Sequence, residues 1–114
     1  RNRDRCFVEV KTVTMDGGGD LAIFPDSVTD RGARHLDELR ALRKQRYRTV
    51  LLFIVARAGC ARVRPADAID PAYGAALRSA AAAGVELLAY AAIPSLAGLA
   101  LGPRLPVELP KLSR

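Results

Sequence analysis

The sequence predicts an α/β domain with a mixed, largely buried central sheet and flanking helices. Three observations carry this. Cys6–Val13 (CFVEVKTV) alternates with period two, as a strand with two unlike faces does. Thr49–Ala56 (TVLLFIVA) is apolar throughout, as expected of a strand buried on both faces. A helical stretch separates it from a third extended run, Val85–Ala91, and strand, helix, strand in that order makes a right-handed βαβ unit. The 114 residues read as a single domain, 1–114. Half of them are apolar, enough for one core without disulfide or metal staples.

The elements follow in chain order. In the first strand Phe7, Glu9 and Lys11 share one face, and Cys6, Val8, Val10 and Thr12 share the other. Asp16–Asp20 (DGGGD) is a turn, and Leu21–Phe24 is a short extended piece stopped by Pro25. Asp26 or Ser27 is expected to cap the next helix, since Ser27 and Asp30 form an S-x-x-D box. Val28, Leu36, Leu39 and Leu42 supply an apolar stripe to about Arg43. Asp70 and Pro71 start a second helix as cap and first residue. It runs through alanine-rich sequence to Ala83, where Gly84 ends it. The tail Leu105–Leu109, flanked by prolines, reads as an edge strand.

Ala80–Leu101 is nearly all apolar and long enough to raise the question of a membrane span. Glu86 inside it, Pro94 and Gly84 argue instead for a buried helix end followed by a buried strand. Cys6 and Cys60 form no CxxC and no ligand cluster, which suits a reducing, cytoplasmic setting. Aromatic residues are 5% and tryptophan is absent, which argues against a stacking platform for single strands.

The net charge is +6, from 18 basic and 12 acidic residues. Residues 31–48 hold seven basic and two acidic residues, so +5 of that charge sits on one helix and its turn. Such an element is an electrostatic footprint for phosphate polyanions. A solvated helix face with i,i+4 pairing, or a docking face for an acidic protein, has the same composition.

Glu9-Val10-Lys11 is the sharpest local feature. Residues two apart on a strand share a face and can act on one ligand. A carboxylate can hold Mg²⁺ at a scissile phosphate, and a neighbouring ammonium can orient a nucleophile or stabilise charge. An exposed Glu/Lys ladder has the same spacing, although Phe7 on that face makes it less than fully solvated. Asp26 is most simply a helix cap, with metal ligation as the alternative. His35, the only histidine, lies beside the apolar stripe, where packing or surface exposure explains it on position alone. No Walker loop, G-x-S-x-G or dinucleotide fingerprint is present.

The chain resembles the C-terminal domain of the sugar fermentation stimulation protein family. The resemblance lies in FVEVKTVT (Phe7–Thr14), FPDSVTDRGARHLDEL (Phe24–Leu39), TVLLFIVAR (Thr49–Arg57) and DPAYGAALRSAAAAGVELLAY (Asp70–Tyr90). It implies a restriction-endonuclease-like, PD-(D/E)xK nuclease-type fold, partnered in the whole protein by an N-terminal oligonucleotide-binding-type barrel. It implies DNA binding linked to regulation of sugar (maltose) metabolism genes. Glu9 and Lys11 match the family's (D/E)xK element, as catalytic groups with Mg²⁺ or Mn²⁺ held by Glu9. Arg31, Gly32 and His35 follow the family's helix pattern, and Arg57 matches an arginine ending the next core strand.

Three departures accompany the resemblance. The family's aspartate on a strand before E-x-K is not matched here, Asp4 reading as part of a turn, so Asp26 is the substitute ligand. Ala56 and Ala58-Gly59 stand where the family often has Gln and Asp. The barrel is not part of this chain, which reads as a fragment. The expected phosphate contacts are Arg31, Arg34, His35, Arg40, Arg43, Lys44 and Arg57, with DNA or RNA as partner and no membrane. The alternatives are a metal-dependent nuclease in the full-length protein, and a protein-interaction domain with a basic helix.

Overall fold

The structure, a computed structural model, describes residues 4–112. Among these the order is β1 (Cys6–Val13), β2 (Met15–Asp16), β3 (Leu21–Phe24), α1 (Asp30–Lys44), β4 (Arg48–Val55), β5 (Arg62–Pro65), α2 (Pro71–Ala82), β6 (Glu86–Ser95) and β7 (Gly98–Leu105). They form a four-stranded sheet ordered β1-β4-β6-β7 and a three-stranded sheet ordered β2-β3-β5. In the larger sheet β1, β4 and β6 are parallel and β7 returns antiparallel. The chain therefore steps across this sheet twice in one direction. Right-handed crossovers of that kind put α1 and α2 on the same face.

That covered face holds the core. Leu36 and Leu39 of α1, Tyr73, Leu77 and Ala80 of α2, and Leu51, Phe53 and Val55 of β4 are buried in one cluster. The helices meet at Gly32, where a Cβ would stand 2.8 Å from Thr29 Cγ2 and 3.0 Å from Tyr73 Cε1. Glycine permits this approach. Phe24 joins the small sheet to the core, its ring centroid 5.7 Å from Phe53 and 5.4 Å from Tyr73. On the uncovered face of β1, Val8 and Val10 are about half exposed.

The mixed α/β architecture agrees with the sequence reading, and β1 has the expected bounds. Four details differ. The α1 cap is Thr29, whose Oγ1 accepts from the Gly32 N–H at 2.9 Å, rather than Asp26 or Ser27. Val28 consequently precedes the helix and is 70% exposed, so it is not part of the buried stripe. The apolar run after Gly84 is not one buried strand. Beyond Ala89 it becomes the outer half of a hairpin, with Leu96, Leu99 and Leu101 exposed. Lastly, Leu105 ends β7, and the tail beyond it contributes one parallel bridge, Val107 to Val63. No helix among the described residues is long and apolar enough to cross a membrane.

Candidate nucleic-acid interface

Edge strand β1 directs Phe7, Glu9 and Lys11 towards α1. Phe7 anchors the start of this face by edge contact with Tyr47, ring centroids 5.1 Å apart. On α1, residues three and four apart are neighbours. Burial of Gly32, Leu36 and Leu39 therefore places Arg31, His35, Glu38 and Leu42 on one border of the buried stripe. His35 thereby comes to Lys11, its Nδ1 2.8 Å from Lys11 Nζ. Glu9 Oε2 completes a triangle, 3.5 Å from Lys11 Nζ and 3.4 Å from His35 Nδ1. The three side chains are 32% (Glu9), 15% (Lys11) and 20% (His35) exposed, so the cluster is sheltered yet reachable. Beside it Phe7, Glu9, His35, Glu38 and Leu42 line a cleft of about 200 Å³.

Tyr73 lies behind the cluster, fully buried, with its hydroxyl unpartnered among the described residues. Burial, with the Glu9 and Asp70 carboxylates nearby, raises its phenol above the ordinary value.

The basic residues do not converge on one point. Arg31 and Arg34 are exposed near the N-terminal end of α1. Arg40 and Lys44 lie on the opposite border of the stripe. With Asp37, Ala41 and Ala83 they line a broad groove of about 660 Å³ beside α2. Arg40 also pairs with Asp37 at 3.6 Å. Arg43 donates to the Tyr47 carbonyl at 3.4 Å. Arg57, just past β4, pairs with Asp16 at 3.3 Å, so its charge is partly offset. Asp26 is exposed in the bend after Pro25. Among the described residues no three His, Cys, Asp or Glu side chains form a group that could hold a metal ion.

The contact of His35 with the E-x-K pair was not anticipated from the sequence. The signal was present in helical periodicity, since His35 adjoins buried Leu36 and is one turn from buried Leu39. Choosing which strand it would meet required the parallel pairing of β1 with β4. Asp70 was anticipated as a cap for α2. Its second bond, from the Thr29 N–H to Oδ2 at 2.9 Å, was not.

A mixed α/β domain with an acid–lysine pair on an edge strand and a basic helix over it defines the class. The model of the "Sugar fermentation stimulation protein RE domain" matches residues 1–97, and the chain belongs to that family. The "Sugar fermentation stimulation protein homolog" of Pseudomonas aeruginosa (strain LESB58) is 57% identical over 106 residues, covering 90% of this chain and 44% of that protein. The homolog of Nitrosococcus oceani is 50% identical over 105 residues, covering 91% and 45%. Among solved structures, Pyrococcus furiosus SfsA in complex with Ca²⁺ superposes with a TM-score of 0.83 at 33% identity, covering 90% of this chain and 45% of that one. The chain thus spans less than half the length of these relatives.

Proposed function

We propose that this domain binds nucleic acid, DNA in the first instance, through the phosphate backbone. One observation carries the reading: a basic helix, with Arg31 and Arg34 exposed, lies over a sheltered lysine that can meet a phosphate. Backbone contacts position a duplex without reading its sequence and make affinity strongly dependent on salt. In the full-length protein an N-terminal barrel would extend this surface, and a role in sugar-metabolism genes would place the protein in the cytoplasm.

The test is a titration of the full-length protein with generic duplex DNA and with heparin, at low and moderate salt. Binding should fall steeply with salt and favour DNA over heparin at matched charge. Replacing Arg31, Arg34 and Arg40 together by alanine should weaken all DNA sequences alike. Weak salt dependence, or equal preference for heparin, overturns the reading. Capture of acidic proteins in place of DNA would favour a protein-interaction domain.

A divalent-cation nuclease is the second reading, favoured by the shared face of Glu9 and Lys11 and by the Ca²⁺ complex of the Pyrococcus relative. The described residues do not complete a cation site. Glu9 supplies one carboxylate, with Oε2 beside Lys11 and His35, and Asp26 stands exposed in the bend after Pro25. Full-length protein that cuts neither DNA nor RNA with Mg²⁺ or Mn²⁺, or whose cutting survives Glu9→Ala, removes this reading.

A further inference from the structure

An ammonium group has donors and no acceptor. His35 Nδ1, 2.8 Å from Lys11 Nζ, therefore accepts from it when Lys11 is charged. The reverse arrangement, a neutral amine accepting from Nδ1–H, would strip charge from a lysine 3.5 Å from a carboxylate. It would also leave the Glu9 carboxylate without its ion-pair partner. The His35 ring proton then sits on Nε2. A bare Nδ1 and Glu9 Oε2, 3.4 Å apart, are both acceptors and cannot bond each other. The Lys11 ammonium donates to Nδ1 and forms an ion pair with Glu9 Oε2.

We propose that His35 is a positioning residue for Lys11. Its Nδ1 takes one N–H of the ammonium, holds it beside Glu9 and leaves donor capacity for a phosphate oxygen. This rests on the phosphate-binding reading above and assigns His35 a part in it. A lysine has a flexible four-carbon stem. Fixing it before the ligand arrives removes an ordering penalty otherwise met on binding. The holder itself is anchored, because its α1 neighbours Leu36 and Leu39, on the buried stripe it borders, lie in the core. His35 thus transmits the position of α1 to a side chain on β1, 24 residues away in sequence.

The first test is ¹⁵N NMR of the His35 ring in the full-length protein at neutral pH. It should show a bare Nδ1 and a protonated Nε2. The second is DNA affinity for His35→Ala and His35→Asn, each with Lys11 intact and with Lys11→Ala, after circular dichroism melts confirm folding. His35→Ala should weaken binding by about 2- to 10-fold, the scale of one immobilised side chain. His35→Asn should restore most of it, since its amide oxygen can accept where Nδ1 did. In the Lys11→Ala background, His35→Ala should have no further effect. A protonated Nδ1 overturns the proposal. So does a His35→Ala effect that persists undiminished without Lys11, which would mean that His35 touches the nucleic acid directly. If the wild-type protein binds no DNA, the phosphate reading fails separately. The ring tautomer then decides the pairing, a bare Nδ1 upholding it and a protonated one overturning it.

Discussion

α1 and α2 are built to one plan and dressed differently. Asp70 ties the two helix starts together. Its Oδ1 accepts from the Tyr73 N–H at 3.0 Å to cap α2, and its Oδ2 holds the Thr29 N–H at the start of α1. Both close with the same pair of bonds. At the end of α1, Arg46 N–H donates to Arg43 O and Tyr47 N–H to Leu42 O, at 2.8 and 3.2 Å. At the end of α2, Gly84 donates to Ala81 and Val85 to Ala80, at 3.1 and 3.0 Å. This closure needs a left-handed residue, normally glycine. α2 has Gly84 there (φ 102°), whereas α1 has Arg46 (φ 75°). The outer surfaces diverge likewise: α2 carries Arg78 as its one charged residue, and α1 carries eight. The inner faces answer to packing, while the outer face of α1 carries charge and the turn after it holds arginine where glycine would fit better.

The largest expected effects test the shared inner plan. Leu36→Ala and Leu77→Ala remove buried leucines from α1 and α2 respectively. Each should cost about 2–5 kcal/mol in urea unfolding. If one is nearly silent, the helices are not equivalent partners of the sheet. Asp70→Ala comes next. It removes a buried carboxylate that accepts from both helix starts, so the loss should exceed a single cap and reach about 2–3 kcal/mol. A loss of only about 0.5 kcal/mol would mean that the two helix starts are not tied through this group.

The divergence at the closing residues predicts opposite signs. Gly84→Ala should destabilise by about 1–2 kcal/mol, because an L-residue pays the left-handed penalty. Arg46→Gly should stabilise by about 0.5–1 kcal/mol, the relief being partly offset by the greater freedom of glycine when unfolded. Destabilisation by Arg46→Gly would mean that the Arg46 side chain contributes more to the fold than its left-handed backbone costs.

How far these features could be read from sequence depended on whether local chemistry decided them. Cys6–Val13 and the Asp70-Pro71 helix start were legible because alternation and capping act over a few residues. Thr29 was missed because Ser27 and Asp30 offered an equally good local box. The structure carries the bend after Pro25 as far as Val28 before α1 begins. β5 (RVRP) was missed because only Val63 and Pro65 are buried and its partner β3 is 41 residues earlier in register. In the site, Glu9 and Lys11 were legible from period two alone. Their contact with His35 depends on which helix crosses over β1, a property of topology rather than of any local motif.

The smallest effect expected here comes from carboxylates outside both helices. Hydrogen bonds from Arg64 and Arg62 hold Glu108 below the ordinary carboxylate range. Arg62 does the same for Asp20, and Arg48 for Glu86. A depressed folded-state value contributes stability above the unfolded value, and that contribution fades as pH falls through the folded one. The loss should therefore appear from about pH 5 downward. It should be modest, because these pairs are exposed to solvent. Glu108→Gln should melt below the wild type at pH 7, and the gap should narrow by pH 3. A gap of the same size at both values would mean that Glu108 acts through packing rather than charge. Narrowing would assign part of the acid sensitivity to the pairs that Glu108 makes with Arg62 and Arg64 of β5.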